Sequence, residues 1–123
     1  MRLLHTSDWH LGRSLHGVDL IDEQASVMDR LIEVVHDEEI DVVLVAGDVY
    51  DRSVPPVSAV RLLDDVLCRL SEHTSVVVIP GNHDSSARLG FGARVFDDRI
   101  IVRSELGRIA EPIELHDDHG TVL

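Results

Sequence analysis

A single cysteine, Cys68, stands in 123 residues, so neither a disulfide framework nor a cysteine-type zinc site can form within one chain. Lysine is missing altogether: the 11 basic residues are all arginine, against 23 acidic ones, for a formal charge of −12. That balance argues against an unaided electrostatic grip on a polyanion, so any contact with nucleic acid needs positive charge from another source. Aromatic side chains make up only 3% of the chain (Trp9, Tyr50, Phe91 and Phe96), which leaves the core to valine, leucine and isoleucine. No apolar run approaches the roughly 18 residues of a membrane span, and the start, MRLLHTSDWH, has one arginine and a very short apolar run. The chain therefore reads as soluble, intracellular and cytoplasmic, with Cys68 expected to pack into a core.

What is present suits one domain: 44% hydrophobic residues, long enough to bury a real core. The surplus of carboxylates is compatible with bound divalent cations, because clustered acids repel one another until metal neutralises them.

The apolar pattern sets out the order of elements. Residues 2–7, RLLHTS, suit a short strand that stops in the polar turn DWHLGRSLHG. From Ile21 the positions Ile21, Ala25, Met28, Leu31, Ile32 and Val35 keep helical spacing, with Asp19 or Asp22 available as N-cap and an end near HDEE. Residues 41–48, DVVLVAGD, form a continuous aliphatic run closing on glycine, the pattern of a strand buried on both faces. A second helix is expected over 57–72, entered through Pro55 and Pro56, with Val57, Val60, Leu63, Val66, Leu67 and Leu70 on its inner face. SVVVIPGN then repeats the buried-strand pattern. Beyond residue 85, SSARLGFGARVFDD suits a short helix or a loop, and IIV, RIAEPIEL and TVL suit strands, the last two joined across HDDHG as a hairpin. Strand, helix, strand, helix, strand with short links is the βαβαβ pattern of an α/β fold, a parallel sheet with helices on its faces.

Three polar clusters follow the three strands: SDWH with Asp8 and His10, AGDVYD with Asp48 and Asp51, and PGNHD with Asn82, His83 and Asp84. Parallel strands deliver their C-terminal loops to one rim, so residues far apart in sequence can meet there. Any one cluster alone is an ordinary turn or helix cap; three in strand order are not. Carboxylate, imidazole and amide donors form a hard-to-borderline ligand set suited to Mn, Fe or Zn and less well to Mg. A carboxylate such as Asp48 can bridge two ions about 3.5–4 Å apart, a pair that activates water and orients a phosphate. Gly47 and Gly81 let the chain turn sharply on leaving a strand and aim the next side chain at the rim.

Asp-x-His at 8–10, Gly-Asp-x-x-Asp at 47–51 and Gly-Asn-His-Asp at 81–84, in this order, resemble the calcineurin-like metallophosphoesterase superfamily. The longer strings LLHTSDWHLG, VVLVAGDVYDRSVPP and VIPGNHDS look more narrowly like its SbcD branch, nuclease subunits of bacterial SbcCD complexes. The resemblance covers the whole chain, most firmly residues 1–88. It implies a four-layer α/β/β/α fold in the intact family and two divalent ions, with Mn2+ the best fit. Asp8 and His10 then match ligands of the first ion, Asp48 the bridging carboxylate and Asn82 a ligand of the second. His83 matches a residue that faces the scissile phosphate, and Asp51 the partner that orients it. The activity implied is DNA cleavage, as exonuclease or endonuclease, in repair, recombination and replication. The partners implied are DNA and an SbcC-type ATPase subunit, around a homodimer within a heterotetramer.

Other residues leave alternatives open. Asp84 could accept backbone hydrogen bonds and brace its loop, or serve a plain turn. Trp9 could pack or stack on a base, His5 could be a core or rim residue, and His16 could be a loop residue or approach DNA or metal. His36 and His73 suit helix C-termini. The family's later Gly-His and Gly-His-x-His motifs do not occur, and His116 and His119 of LHDDHG fit a hairpin turn better. Residues 1–123 are thus expected to form the N-terminal part of the catalytic domain. The rest of that domain, a DNA-binding cap and the partner-docking segment are expected to be absent, with little or no nuclease activity from the chain alone. The competing readings are another phosphoesterase, acting on cyclic nucleotides or phosphorylated proteins or small molecules, and a non-catalytic module.

Overall fold

The computed structural model describes residues 1–81, 84–89, 98–108 and 110–122. In chain order the elements are β1 (Leu3–Thr6), β2 (Ser14–Leu15), β3 (Val18–Asp19), α1 (Ile21–Asp37), β4 (Val42–Ala46), α2 (Val57–Ser71), β5 (Ser75–Ile79), α3 (Ser86–Leu89), β6 (Ile100–Val102), a 3-10 turn (Leu106–Arg108), β7 (Leu115–Asp117) and β8 (Gly120–Val122). The βαβαβ order expected from the apolar pattern is therefore present. Strands β1, β4, β5 and β6 form one parallel sheet in that spatial order, with Leu3 opposite Val42, Val43 opposite Val76 and Val76 opposite Ile100.

The strand order steps in one direction, so successive crossovers of the same hand drop their helices on the same side. Helices α1 and α2 accordingly pack on each other, and Arg69 of α2 reaches Asp29 of α1 at 2.6 Å. Both helices lie on one face of the sheet. Val43, Val45, Val76, Val78, Ile100 and Val102 turn inward to meet Met28, Val35, Leu63, Val66, Leu67 and Leu70 in one aliphatic core. On the alternate positions, Val42 and Val77 are buried, while Leu3 and Ile79 are 57% and 44% exposed. His5 also lies exposed on β1, on that second face and outside the core.

Helix α1 begins and ends close to the expected bounds. Asp19 Oδ1 accepts the Ile21 N–H at 3.0 Å, satisfying one of the free donors of the first turn. The inner face of α2 differs from the expected one: Ala59, Leu63, Val66, Leu67 and Leu70 are buried, whereas Val57 and Val60 are 66% and 45% exposed. Ala59 takes the place assigned to Val60 because the stripe 59-63-66-70 keeps the i, i+4, i+3 repeat through the first turn. Cys68 falls off this stripe and is exposed rather than buried. Partial desolvation of the thiol and the charges of Asp64, Asp65 and Glu72 push its pKa up, keeping the thiol protonated.

Two further departures concern the loops. The polar turn after β1 contains a two-stranded ribbon, β2–β3, turning through His16 and Gly17, both at positive φ (51° and 77°). Two successive positive φ values make the tight turn that matches strand twist. The segment RIAEPIEL is not a strand: Arg108 closes the 3-10 turn, residues 111–114 have no regular structure, and Leu115 opens β7. Pro112 supplies no N–H for a ladder there. The β7–β8 hairpin across HDDHG is as expected, with His119 in its turn and His116 Nδ1 2.9 Å from Thr121 Oγ1. No helix among the described residues is long and apolar enough to cross a membrane.

The stripe on α2 makes opposite demands on two residues. Leu70→Ala, at a site with no exposed surface, is expected to lower stability by about 2–5 kcal/mol in denaturant unfolding. Val60→Ala is expected to change it by less than about 1 kcal/mol, and the reverse order would refute the assignment.

Candidate metal centre

The loops that leave β1 and β4 run side by side past the ends of their strands. Asp8 N–H donates to Gly47 O at 3.1 Å, His10 N–H to Asp48 O at 2.9 Å, Leu11 N–H to Val49 O at 2.9 Å and Asp51 N–H to Leu11 O at 3.1 Å. This ladder holds the chain in a conformation that side chains disfavour: Asp8, His10 and Asp48 have φ of 56°, 47° and 50°. Left-handed backbone costs about 1–2 kcal/mol at each non-glycine residue, and such strain gathers at functional sites. Only five non-glycine residues described have positive φ, and three of them are Asp8, His10 and Asp48.

The result is a tight donor cluster. One ligand atom each from Asp8, His10 and Asp48 lies within 4.8 Å of the others. His10 Nε2 is 3.5 Å from Asp8 Oδ1 and 3.9 Å from Asp48 Oδ2. Donors sitting about 2.0–2.2 Å from one ion are separated by roughly 3–4.4 Å, so these spacings fit a shared divalent cation. The Ser7 hydroxyl donates to Asp8 Oδ2 at 2.5 Å and, with the nearby His10, holds the Asp8 carboxyl below its usual pKa. Asp8 is thereby ionised at neutral pH, the form in which a carboxylate binds metal.

The loop after β5 closes on the same rim. A Cβ on Gly47 would stand 3.0 Å from Gly81 Cα, and one on Gly81 would stand 2.2 Å from Asp48 Oδ1. Only glycine lets the exits of β4 and β5 approach this closely. Asn82 and His83, expected as a ligand and as the group facing the phosphate, lie outside the described residues. Asp84, immediately after them, is buried and accepts three backbone N–H groups: Val49 at 3.0 Å, Tyr50 at 2.8 Å and Gly81 at 2.8 Å. The loop-bracing reading of Asp84 therefore holds.

Asp51 Oδ1 lies 3.3 Å from His10 Nδ1; His83, the partner expected for it, is outside the described residues. Trp9 is buried, with its Nε1 donating to Thr6 Oγ1 at 2.9 Å, so it packs. His16 is exposed in its turn, and His36 and His73 meet edge to face at 5.0 Å beside the C-termini of α1 and α2.

One bracing residue escapes the sequence reading. Gln24 of α1 donates to His10 O at 2.8 Å and accepts the Gly12 N–H at 3.0 Å, fastening the ligand loop to the helix. Its signal is available: an amide three residues after Ile21 and four before Met28, on the stripe that should be apolar.

The C-terminal rim of the parallel sheet thus carries a carboxylate–imidazole–carboxylate cluster of a kind that could hold a divalent metal ion, the class of site found at the strand ends of α/β folds. The chain belongs to the calcineurin-like phosphoesterase family, whose model matches residues 1–120. It is similar to the SbcD component of the SbcCD nuclease of Staphylococcus saprophyticus subsp. saprophyticus, with 38% identity over 118 residues, 94% of this chain and 31% of that protein. The chain therefore spans about a third of the length of the curated relative it matches.

Tyr50 reports on this rim. Burial, then the Asp84 charge and then the more distant Asp64 push its phenol up to about 12. It is the sole tyrosine, so absorbance at the phenolate band titrates it alone. A midpoint near 12 is expected in the folded chain, against about 10 unfolded. The folded state holds this proton more tightly, so the stability it contributes is complete below about pH 10 and is lost as pH rises toward 12. Asp84→Asn should lower the midpoint but leave it above 10, since burial is the larger cause; a native midpoint at 10 would contradict the buried placement.

Proposed function

We propose that the chain is the N-terminal part of the catalytic domain of a DNA nuclease subunit that hydrolyses phosphodiesters with two divalent ions, Mn2+ fitting best. The observation that carries this is the convergence of Asp8, His10 and Asp48 on one rim with ligand atoms within 4.8 Å. The similarity to a nuclease subunit supports DNA as the substrate. Bound divalent ions would activate water near neutral pH and offset the charge of a phosphate.

The chain's own residues do the placing. Asp8 and His10 would hold a first ion, and Asp48, lying between the β1 and β5 loops, would offer its carboxylate to it and to a second. Asn82 would supply a ligand to the second, and His83 would serve the scissile phosphate, where an imidazole can give a proton to the leaving oxygen. Asp84 holds the backbone N–H of Gly81, the residue before them in sequence. The remaining ligands, a DNA-binding cap and a docking segment belong in the whole protein, and without them these residues alone hydrolyse DNA little or not at all. With a net charge of −12 the rim attracts cations, and the grip on DNA comes from other parts of the assembly. The partner is an SbcC-type ATPase, the working unit is a heterotetramer built on a homodimer of the nuclease chain, and the complex acts in cytoplasmic DNA repair, recombination and replication.

Titration calorimetry with Mn2+ tests the centre. Weak but saturable binding is expected, with Asp48→Ala reducing affinity at least tenfold; tight binding of two ions, or binding indifferent to Asp48→Ala, would contradict it. In the whole protein, cleavage of linear duplex DNA and not of cyclic nucleotides is expected. The opposite preference would make the protein a cyclic-nucleotide phosphodiesterase instead.

A further inference from the structure

His10 is the one imidazole in the donor cluster, and its two nitrogens face different groups. Nε2 points between Asp8 Oδ1 and Asp48 Oδ2, at 3.5 and 3.9 Å. Nδ1 is shut off from solvent and has Asp51 Oδ1 3.3 Å away. A neutral imidazole carries one proton, and a metal can bind only the nitrogen that lacks it. Were the proton on Nε2, it would lie toward the two ligand carboxylates and close the site.

We propose that Asp51 is a positioning residue for His10: its carboxylate accepts the Nδ1 proton and so presents the Nε2 lone pair to the ion that Asp8 and Asp48 share. This rests on the metal-centre reading and adds to it a task for Asp51 toward a ligand, besides the one proposed toward His83. Three features of the chain make the contact a built one. The Asp51 N–H donates to Leu11 O at 3.1 Å, which ties Asp51 to the residue next to His10. Leu11 and Tyr50 form a parallel bridge that aligns the two loops at this point, and Leu11 itself is fully buried. The Gln24 amide holds the His10 carbonyl from the other side, so the ring pivots on a fixed backbone. A separation of 3.3 Å is loose for a hydrogen bond, and such contacts tighten when the site is loaded.

The spacing in sequence explains why these two residues meet. Asp51 lies three residues after Asp48, as the turn following β4 brings it back alongside the β1 loop. Asp48 therefore faces Nε2 and Asp51 faces Nδ1 of the same ring, one carboxylate in the ligand cluster and one behind it. Carboxylates behind a metal-bound imidazole fix its tautomer and raise its basicity, and losing one costs about 10–100-fold in affinity.

The test has a readout that needs no metal. Nitrogen-15 NMR of the metal-free chain, with the His10 signal assigned by its loss in His10→Gln, should show the neutral ring protonated on Nδ1. In Asp51→Asn that preference should diminish, and Mn2+ affinity by calorimetry should fall about 10–100-fold, with circular dichroism unchanged. Asp51→Glu should restore much of both. If wild-type His10 carries its proton on Nε2, or if Asp51→Asn changes neither tautomer nor affinity, the inference is overturned. The wild-type spectrum decides this even if the variants fail to fold. Should the wild type bind no Mn2+ while His10 is protonated on Nδ1, the metal-centre reading falls and the contact stands.

Discussion

The Asp84 carboxylate ties together the loops that follow β4 and β5. It accepts the N–H groups of Val49 and Tyr50 from the turn after β4 and that of Gly81 from the turn after β5. All three donors are close to the rim, and Val49 and Tyr50 are buried, so each would lose water without regaining a partner if the carboxylate were missing. The close approach of Gly47 to Gly81 depends on this clamp, and the placement of Asp48 against Gly81 depends on that approach. Burial raises the Tyr50 phenol most, and the Asp84 anion raises it further.

A second layer of constraint acts on the other side of Asp48. The backbone ladder between the β1 and β4 loops holds Asp8, His10 and Asp48 at positive φ, and Gln24 fastens that ladder to α1. The sheet supplies the foundation: Val43, Val45, Val76 and Val78 are almost fully buried and fix the direction in which each loop departs. Core, strand exit, loop backbone and ligand side chain thus form one chain of dependence.

Much of this is legible in the sequence, and the limits are physical. The runs at 41–48 and 75–81 are readable because a strand buried on two faces needs aliphatic residues at every position and a glycine to leave it. Asp8, His10 and Asp48 stand out because three polar clusters follow three successive strands. The β2–β3 ribbon is not readable, since its strands are only two residues long, too short to show an alternating pattern, and it turns on a positive φ at His16. Val57 and Val60 mislead because periodicity locates a stripe but leaves its phase open where a small residue, Ala59, also fits. The one-sided placement of α1 and α2 depends on strand order, which local pattern does not contain. Asp51 against His10 depends on loop registration, which the alignment of Leu11 with Tyr50 sets, whereas Gln24 leaves a readable polar break in the apolar stripe of α1.

The central claim is that Asp8, His10 and Asp48 are brought together to hold a divalent cation. Crystals of the chain soaked in Mn2+ and measured at the manganese absorption edge test it directly. The account predicts an anomalous peak bounded by Asp8 Oδ1, His10 Nε2 and Asp48 Oδ2. No peak there, or Mn2+ bound only at other carboxylates of this acidic surface, would contradict it.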